Sequence, residues 1–207
     1  EHPLYLVFYD TAGENFNDPK NISKNVKFLD ESDAVIFLLD TFSIPYIHDK
    51  LNIKGEIELK YDVILNNIID HFKNGDKKKK EAHFGKPMAF AFSKIDAILD
   101  HSEDLAETAI PGMTLDQNSP FLDGGGVRMD DIDAVSDGLR AALNSWYEDG
   151  FVNNAENNYK NLKYFGFSAL GKDPGNDNHI EGIKPYRVLD PLIWILDQFK
   201  YPLLKQK

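Results

Sequence analysis

The sequence of 207 residues contains no cysteine. This absence excludes disulfide bonds, thiolate zinc sites and a cysteine nucleophile together. Positive charge is also scarce, because 23 lysines and arginines face 34 aspartates and glutamates, for a formal net charge of -11. Nucleic acids and anionic membranes need a positive surface, so we expect neither as a partner. No apolar run is long enough to span a bilayer, and the sequence after Glu1 resembles neither a signal peptide nor a transit peptide, so we expect a cytoplasmic protein.

Charged and metal-ligating residues form no recognisable metal site. The six histidines never pair at the i, i+4 spacing of a zinc helix. Asp130, Asp131 and Asp133 lack the alternating ligands and the glycine of a calcium loop, and we interpret them as favourable charge at a helix N-terminus. The cluster Lys77 to Lys80 is interpreted as a solvated loop.

What the sequence does contain is an alternation of apolar, strand-length runs and amphipathic helical patterns. The predicted strands are Leu4 to Tyr9, Ala34 to Leu39, Met88 to Phe92 and Tyr164 to Phe167. The predicted helices run from about Glu56 to Phe72, from Asp130 to Trp146 and from Val188 to Phe199. This order predicts an α/β fold with a mostly parallel sheet in a single domain. A polar surface insertion is expected at about residues 97 to 131.

Polar residues follow three of the four predicted strands, at the sheet edge where α/β proteins bind their ligands. The three groups are Asp10-Thr11-Ala12-Gly13-Glu14, Ser93-Lys94-Ile95-Asp96 and Ser168-Ala169-Leu170. In this order they resemble the DxxG, [NT]KxD and SA[KL] motifs of the P-loop GTPases, with Ser93 in place of the usual asparagine or threonine. The resemblance makes these residues candidates for a nucleotide site.

The residue types in these groups suit a guanine nucleotide with Mg²⁺. Guanine presents two adjacent donors that the Asp96 carboxylate can accept together, and adenine offers no such pair. The aliphatic stem of Lys94 can lie along a flat base, beside the Ser93 hydroxyl. Gly13 lets its backbone N–H approach a terminal phosphate, and Asp10 is placed to hold a water of the bound Mg²⁺.

The remaining members of the three groups have supporting roles. Ala169 is small enough for its backbone N–H to approach the guanine carbonyl, Ser168 is expected to hold the loop, and Leu170 completes the motif. Glu14 occupies the position where many P-loop GTPases carry a glutamine that orients the attacking water. The resemblance therefore implies that Glu14 is a candidate catalytic residue.

A longer resemblance covers almost the whole chain. The segments YLVFYDTAGE, DAVIFLLD, FSKID, FGFSALG and RVLDPLIWIL are similar to those of the bacterial double-GTPase family. The resemblance implies a three-layer α/β/α P-loop NTPase-like (Ras-like) fold, GTP hydrolysis to GDP with Mg²⁺, a regulatory switch and a protein effector or regulator. Trp194, within the last segment, is expected in the core.

The phosphate-binding loop G-x-x-x-x-G-K-[ST] is absent from the sequence. The nearest match, GFSALGKD, ends in Asp173 where a hydroxyl belongs, and Pro174 prevents the helix that should follow. Residues 1–207 would then be the C-terminal two-thirds of a GTPase domain, incomplete at the N-terminus and inactive alone. Two alternatives stay open, a non-hydrolysing GTPase-like protein-interaction module and, more distantly, a metal-dependent adhesion domain suggested by Asp40 to Ser43.

Overall fold

A computed structural model describes residues 5–9, 16, 22, 27–100, 127–146, 150–171 and 182–201. Its sheet has three parallel strands in the order β1-β2-β3, namely Val35–Asp40 (β1), Met88–Ser93 (β2) and Leu162–Gly166 (β3). Val35 lies opposite Met88, which in turn lies opposite Leu162. The predicted α/β class with a parallel sheet is confirmed at this level. The finer prediction, a three-layer P-loop NTPase-like architecture, is not confirmed.

Helices connect and cover the strands. They are Lys27–Glu31 (α1), Pro45–Lys50 (α2), Tyr61–Lys73 (α3), Lys77–Gly85 (α4), Ile95–Asp100 (α5), Met129–Trp146 (α6), Phe151–Asn158 (α7) and Asp190–Gln198 (α8). A short 3-10 helix at Thr41–Ser43 follows β1. The helices predicted before β3 and after it are confirmed, whereas the one predicted from about Glu56 begins only at Tyr61.

The main core lies on one face of the sheet. Phe90 of β2 is fully buried there, and its ring is 5.7 Å from Phe37, 5.7 Å from Tyr164 and 5.5 Å from Phe151 between centroids. The apolar sides of α3, α6 and α7 complete this layer. A parallel strand buried on both faces reads as a continuous apolar run, which is why β2 is predictable from its sequence alone.

The opposite face of the sheet is only partly covered. Trp194 of α8 lies 5.7 Å from the Phe165 ring and packs in a second cluster with Ala89 and Ala91 of β2. The β1 residues on this face, Ile36 and Leu38, lie beside those alanines but remain 39% and 61% exposed. Helix α8 therefore covers β2 and β3 on this face and leaves the Ile36 and Leu38 side chains of β1 exposed.

Two predicted features are wrong. The apolar run after residue 4 is not a strand, since Tyr5–Tyr9 have no regular structure and are 49% to 81% exposed. A strand needs a neighbour, and β1 carries none on its outer side among the described residues. The lysine cluster is not a loop either. It starts α4, because the Asp76 side chain caps the helix by accepting hydrogen bonds from Lys78 N at 2.8 Å and Lys79 N at 3.3 Å.

Helices occupy both ends of the predicted surface insertion at about residues 97 to 131. Helix α5 occupies its first residues up to Asp100, and α6 begins at Met129. Residues 101–126 lie outside the described residues, so the insertion stays a prediction.

Candidate functional site

Asp40 connects three elements at the carboxyl end of β1. Its Oδ1 accepts a hydrogen bond from Phe42 N at 3.0 Å, which starts the 3-10 helix. Its Oδ2 lies 2.6 Å from Lys94 Nζ, at the end of β2. Its backbone N–H donates to the Tyr61 hydroxyl at 2.8 Å, at the start of α3. The Asp40 carboxylate is thus engaged within the fold.

Ser93 and Lys94 hold the ends of β1 and β2 together. The Ser93 hydroxyl donates to Leu39 O at 3.0 Å, and the Thr41 hydroxyl donates to Ser93 O. Lys94 has a left-handed backbone with φ of 59°, and its ammonium lies 5.1 Å above the Phe42 ring. Two of the predicted base-site side chains, Ser93 and Lys94, therefore have internal partners in this structure.

Tyr61 supplies the hydroxyl that receives the Asp40 N–H. Burial is the largest influence that raises the pKa of this phenol, and the negative charge of Asp40 adds to it. The hydrogen bond from the Asp40 backbone acts in the opposite direction. Tyr61 therefore stays neutral and acts as a fixed polar cap at the outer edge of β1.

The exits of β2 and β3 lie side by side. Phe167 N donates to Phe92 O at 2.9 Å, and Ile95 N donates to Phe167 O at 3.2 Å. These bonds bring Ser93, Lys94 and Asp96 to the same edge as Ser168, Ala169 and Leu170. The second and third predicted groups are therefore neighbours.

Ser168 orders the loop that follows β3. Its hydroxyl accepts hydrogen bonds from Leu170 N at 3.2 Å and Gly171 N at 2.8 Å, and its backbone pairs with that of Tyr186. Gly171 has φ of 79°, and a Cβ at this position would lie 1.9 Å from Lys184 O. No other residue fits there without moving the chain. Ala169 is exposed.

Asp96 differs from its neighbours because part of its side chain lacks a partner. It lies in the first turn of α5 and is 5% exposed, yet Oδ1 has no hydrogen-bond partner in the described part of the chain. An unpaired buried carboxylate oxygen is costly to the fold. Asp10, Gly13 and Glu14 lie outside the described residues, so the predicted metal-linked and catalytic positions stay predictions.

Arg187 is a buried residue that the sequence predictions missed. Its guanidinium, 2% exposed, donates to Asp131 Oδ2 from Nη1 at 2.9 Å and from Nη2 at 2.5 Å, and Nε lies 3.3 Å from Asp190 Oδ2. Asp131 thus pairs with an arginine rather than only favouring the α6 N-terminus, and Asp133 lies 2.6 Å from Lys163 Nζ. The i, i+3 spacing of Arg187 and Asp190 was the available signal.

The outer side of β1 is the second distinctive surface. Val35 N donates to Pro87 O at 3.0 Å, whereas Asp40 N donates away from β2 to Tyr61. The alternation of a strand therefore turns the backbone groups of Ile36 and Leu38 away from β2. We call this side, with the exposed Ile36 and Leu38 side chains, the open edge of β1.

Two further site types are not seen in the part of the chain that the structure covers. Its residues include no group of three or more histidine, aspartate and glutamate side chains placed to hold a metal ion. None of its helices combines the length and apolarity that crossing a membrane requires.

Comparison with known proteins gives one distant relative. A protein of Mycolicibacterium smegmatis named "Putative ESX-1 scaffolding and assembly protein SaeC" is 24% identical over 208 residues. The alignment covers 94% of the chain and 51% of that protein, so the chain spans about half the length of this curated relative. No family model and no solved structure matches the chain.

The resemblance to P-loop GTPases, and to the bacterial double-GTPase family in particular, is therefore wrong. The relative is named for scaffolding and assembly, and no GTPase family model matches. The motifs that carried the resemblance are short, and aspartates after buried strands are common in α/β proteins. In this chain Lys94 and Ser93 have clear roles in joining β1 to β2.

Proposed function

We propose that this chain is a protein-interaction module of a larger assembly, and that it contacts its partner through the open edge of β1. The observation that carries the proposal is the pair Ile36 and Leu38, 39% and 61% exposed in the middle of a sheet strand. Apolar side chains on an uncovered sheet face mark a surface that a partner covers. The scaffolding name of the distant relative supports a protein partner.

The polar side chains at the sheet edge support an interaction module more than an enzyme. Asp40, Lys94, Ser93 and Ser168 each use their functional groups within the fold. A side chain that already has a close internal partner is less available to a substrate. The open edge of β1, in contrast, offers both apolar surface and backbone hydrogen-bonding groups.

The test compares two charged substitutions at apolar positions of equal exposure. Leu38 is 61% exposed on the open edge, and Ile183 is 62% exposed after the β3 loop. We expect Leu38→Asp to remove the protein from its high-molecular-weight complex in host-cell extracts, while Ile183→Asp leaves the complex intact. Equal elution of Leu38→Asp and the parent would overturn the proposal, provided that both variants unfold at the parent's temperature.

Guanine-nucleotide binding is a second candidate, because the buried Asp96 Oδ1 has no hydrogen-bond partner among the residues described and the exits of β2 and β3 lie side by side. A base with two adjacent donors would satisfy that carboxylate, and Mg²⁺ would accompany the phosphates. Calorimetry with GDP, and with ADP as control, tests the idea. Binding of GDP alone that is lost in Asp96→Asn supports it, and absence of GDP binding to the parent chain removes it.

A further inference from the structure

We infer that the partner at the open edge of β1 is a second copy of this chain, paired antiparallel through β1 about a two-fold axis at Phe37. This inference rests on the proposed function and names the partner of the same surface. A two-fold interface brings the same surface of both copies together, so that surface must be complementary to itself. The open edge of β1 meets this condition in its backbone groups, its side chains and its flanking charges.

The backbone groups of the open edge are self-complementary. Val35 N donates to Pro87 O on the β2 side, whereas Asp40 N donates away from β2, so Ile36 and Leu38 present both N–H and C=O outward. Two residues that face each other in this way in an antiparallel pair exchange both of their hydrogen bonds. Ile36 of each copy can therefore pair with Leu38 of the other, which gives four hydrogen bonds.

The two ends of the edge give the same register. The Tyr61 hydroxyl occupies the Asp40 N–H and closes the edge at its carboxyl end. Because β1 begins at Val35, the segment that remains open runs from Val35 to Leu39, with Phe37 at its centre. Antiparallel pairing of this segment with itself places Phe37 opposite Phe37. The same register places Ile36 opposite Leu38, as the backbone groups require.

The side chains of β1 suit this pairing. Ile36 and Leu38 lie on one face of the strand and are 39% and 61% exposed. Directly opposite residues of an antiparallel pair have Cβ atoms about 4.5–5.5 Å apart, so each Leu38 meets Ile36 of the other copy. Natural edge strands carry lysine, proline or bulges that prevent pairing. β1 reads VIFLLD and pairs with β2 without a bulge over all six residues, so it has none of these protections.

Charges at the two ends of β1 favour the antiparallel direction. Asp33 is exposed just before the strand, and the half-exposed Lys94 places its Nζ at the carboxyl end, 2.6 Å from Asp40 Oδ2. Antiparallel pairing brings Asp33 of each copy toward Lys94 of the other. Parallel pairing would instead bring like charges together at each end, which is unfavourable. The two opposite-charge contacts offset part of the repulsion between chains of net charge -11.

Sedimentation equilibrium of the 207-residue chain over a range of concentrations measures the association. We expect the average mass to rise from that of one chain toward twice that value and no further, because pairing consumes both edges. Leu38→Asp should keep the mass of one chain, since it places a charge in the apolar contact. Ile183→Asp, at a position of equal exposure, should behave as the parent. A parent that stays monomeric up to its highest soluble concentration would overturn the inference.

Cysteine pairs test the register, because the chain has no cysteine of its own. Ile36→Cys in isotope-labelled protein is mixed with unlabelled Leu38→Cys under mild oxidation, and the products are resolved by mass spectrometry. Positions 36 and 38 of opposite copies would lie within disulfide reach, whereas identical positions would lie about 7–8 Å apart, which is too far. We therefore expect the mixed disulfide to predominate over both homodisulfides. Random pairing, with about half of the product mixed, would contradict the proposed register.

Two further substitutions separate backbone pairing from apolar contact. Leu38→Pro removes the side chain and the outward N–H, whereas Leu38→Ala removes only the side chain. We expect association to be lost in the proline variant and retained, though weakened, in the alanine variant. Slow hydrogen exchange at the Phe37 and Leu39 amides, which bond to β2, shows that the strand itself persists. Equal association of the two variants contradicts strand pairing.

Hydrogen exchange at Ile36 and Leu38 distinguishes the possible occupants of the edge. We expect exchange at both amides to slow by about tenfold or more as the chain is concentrated. Slow exchange at every dilution would mean that a segment of the same chain fills the edge, and this result overturns the inference. If the chain stays monomeric but Leu38→Asp still dissociates the host complex, the interaction surface stands and the second copy is excluded as its partner. If Leu38→Asp leaves the host complex intact, the proposed function itself falls.

Discussion

His83 packs face to face against Phe72, with ring centroids 3.6 Å apart, and its Nε2 lies 2.9 Å from the Tyr159 hydroxyl. The ring is 1% exposed, and burial, assisted by the nearby Lys86, lowers the pKa of His83 to about 3. The folded protein therefore holds a neutral imidazole. Its aromatic packing could not be foreseen, because the partners come from three separated segments of the sequence.

This histidine makes stability depend on pH. In the unfolded chain its pKa returns to about 6.5, so between pH 6.5 and 3 only the unfolded state binds the proton. The stabilisation is complete above that window and is lost as the pH falls through it. We expect urea unfolding to show a loss of about 2 kcal/mol between pH 7 and 5 that His83→Gln lacks. The same pH slope in both proteins would refute this account.

Lys86 is a second buried polar residue with a structural role. Its ammonium donates to Leu29 O at 2.5 Å and Ser32 O at 2.8 Å, at the end of α1. We expect Lys86→Met to lower the free energy of unfolding by about 2 kcal/mol, because carbonyl groups lose a charged donor. Lys78→Met, at an exposed position of α4, should change it little. Similar effects of the two substitutions in thermal unfolding would show that the carbonyl contacts contribute nothing.

At the scale of elements, Arg187 links the segment before α8 to α6 through Asp131 and lies against Asp190. We expect Arg187→Leu to destabilise the fold by about 3 kcal/mol, since it removes the cation beside the buried Asp190 and the closer of the two arginines that contact Asp131. Arg140→Leu removes an exposed pair with Glu156 and should cost no more than about 1 kcal/mol. Chemical unfolding of both variants provides the comparison, and equal losses would contradict a special role for Arg187.

Elements differ in how far the sequence predicts them. β2 is predictable because MAFAFS is apolar throughout and buried on both faces. The start of α4 was missed because a run of lysines suggests a loop, whereas the cap from Asp76 decides the local structure. Tyr5–Tyr9 has the composition of a strand, but composition does not provide the neighbouring strand that pairing requires.

The candidate site, like the fold, is predictable from the sequence only in part. That the β2 and β3 exits share one edge follows from the predicted parallel order, and the structure places them together. The partners of individual side chains were not predictable, since Lys94 meets Asp40 across 54 positions of sequence. The exposure of Ile36 and Leu38 was also not predictable, because an apolar run alone cannot show which face of a strand remains uncovered.

At the scale of the whole molecule, the sheet face that carries α8 is covered over β2 and β3 and exposed over β1. Helix α8 protects β2 and β3, and nothing among the described residues covers the outer face of β1. Exposed apolar side chains, Ile36 and Leu38, therefore lie on the strand whose outer edge is unpaired among the described residues. The central claim is that a protein partner occupies this region.

Site-specific photo-crosslinking in the host cell tests that claim most directly. A benzophenone amino acid replaces Leu38 in one strain and Ile183, of equal exposure, in another. We expect the Leu38 position to yield a discrete crosslinked adduct with one protein, identified by mass spectrometry, and the Ile183 position to yield none. Absence of an adduct at the Leu38 position, with the protein folded and expressed at its normal level, would contradict the account.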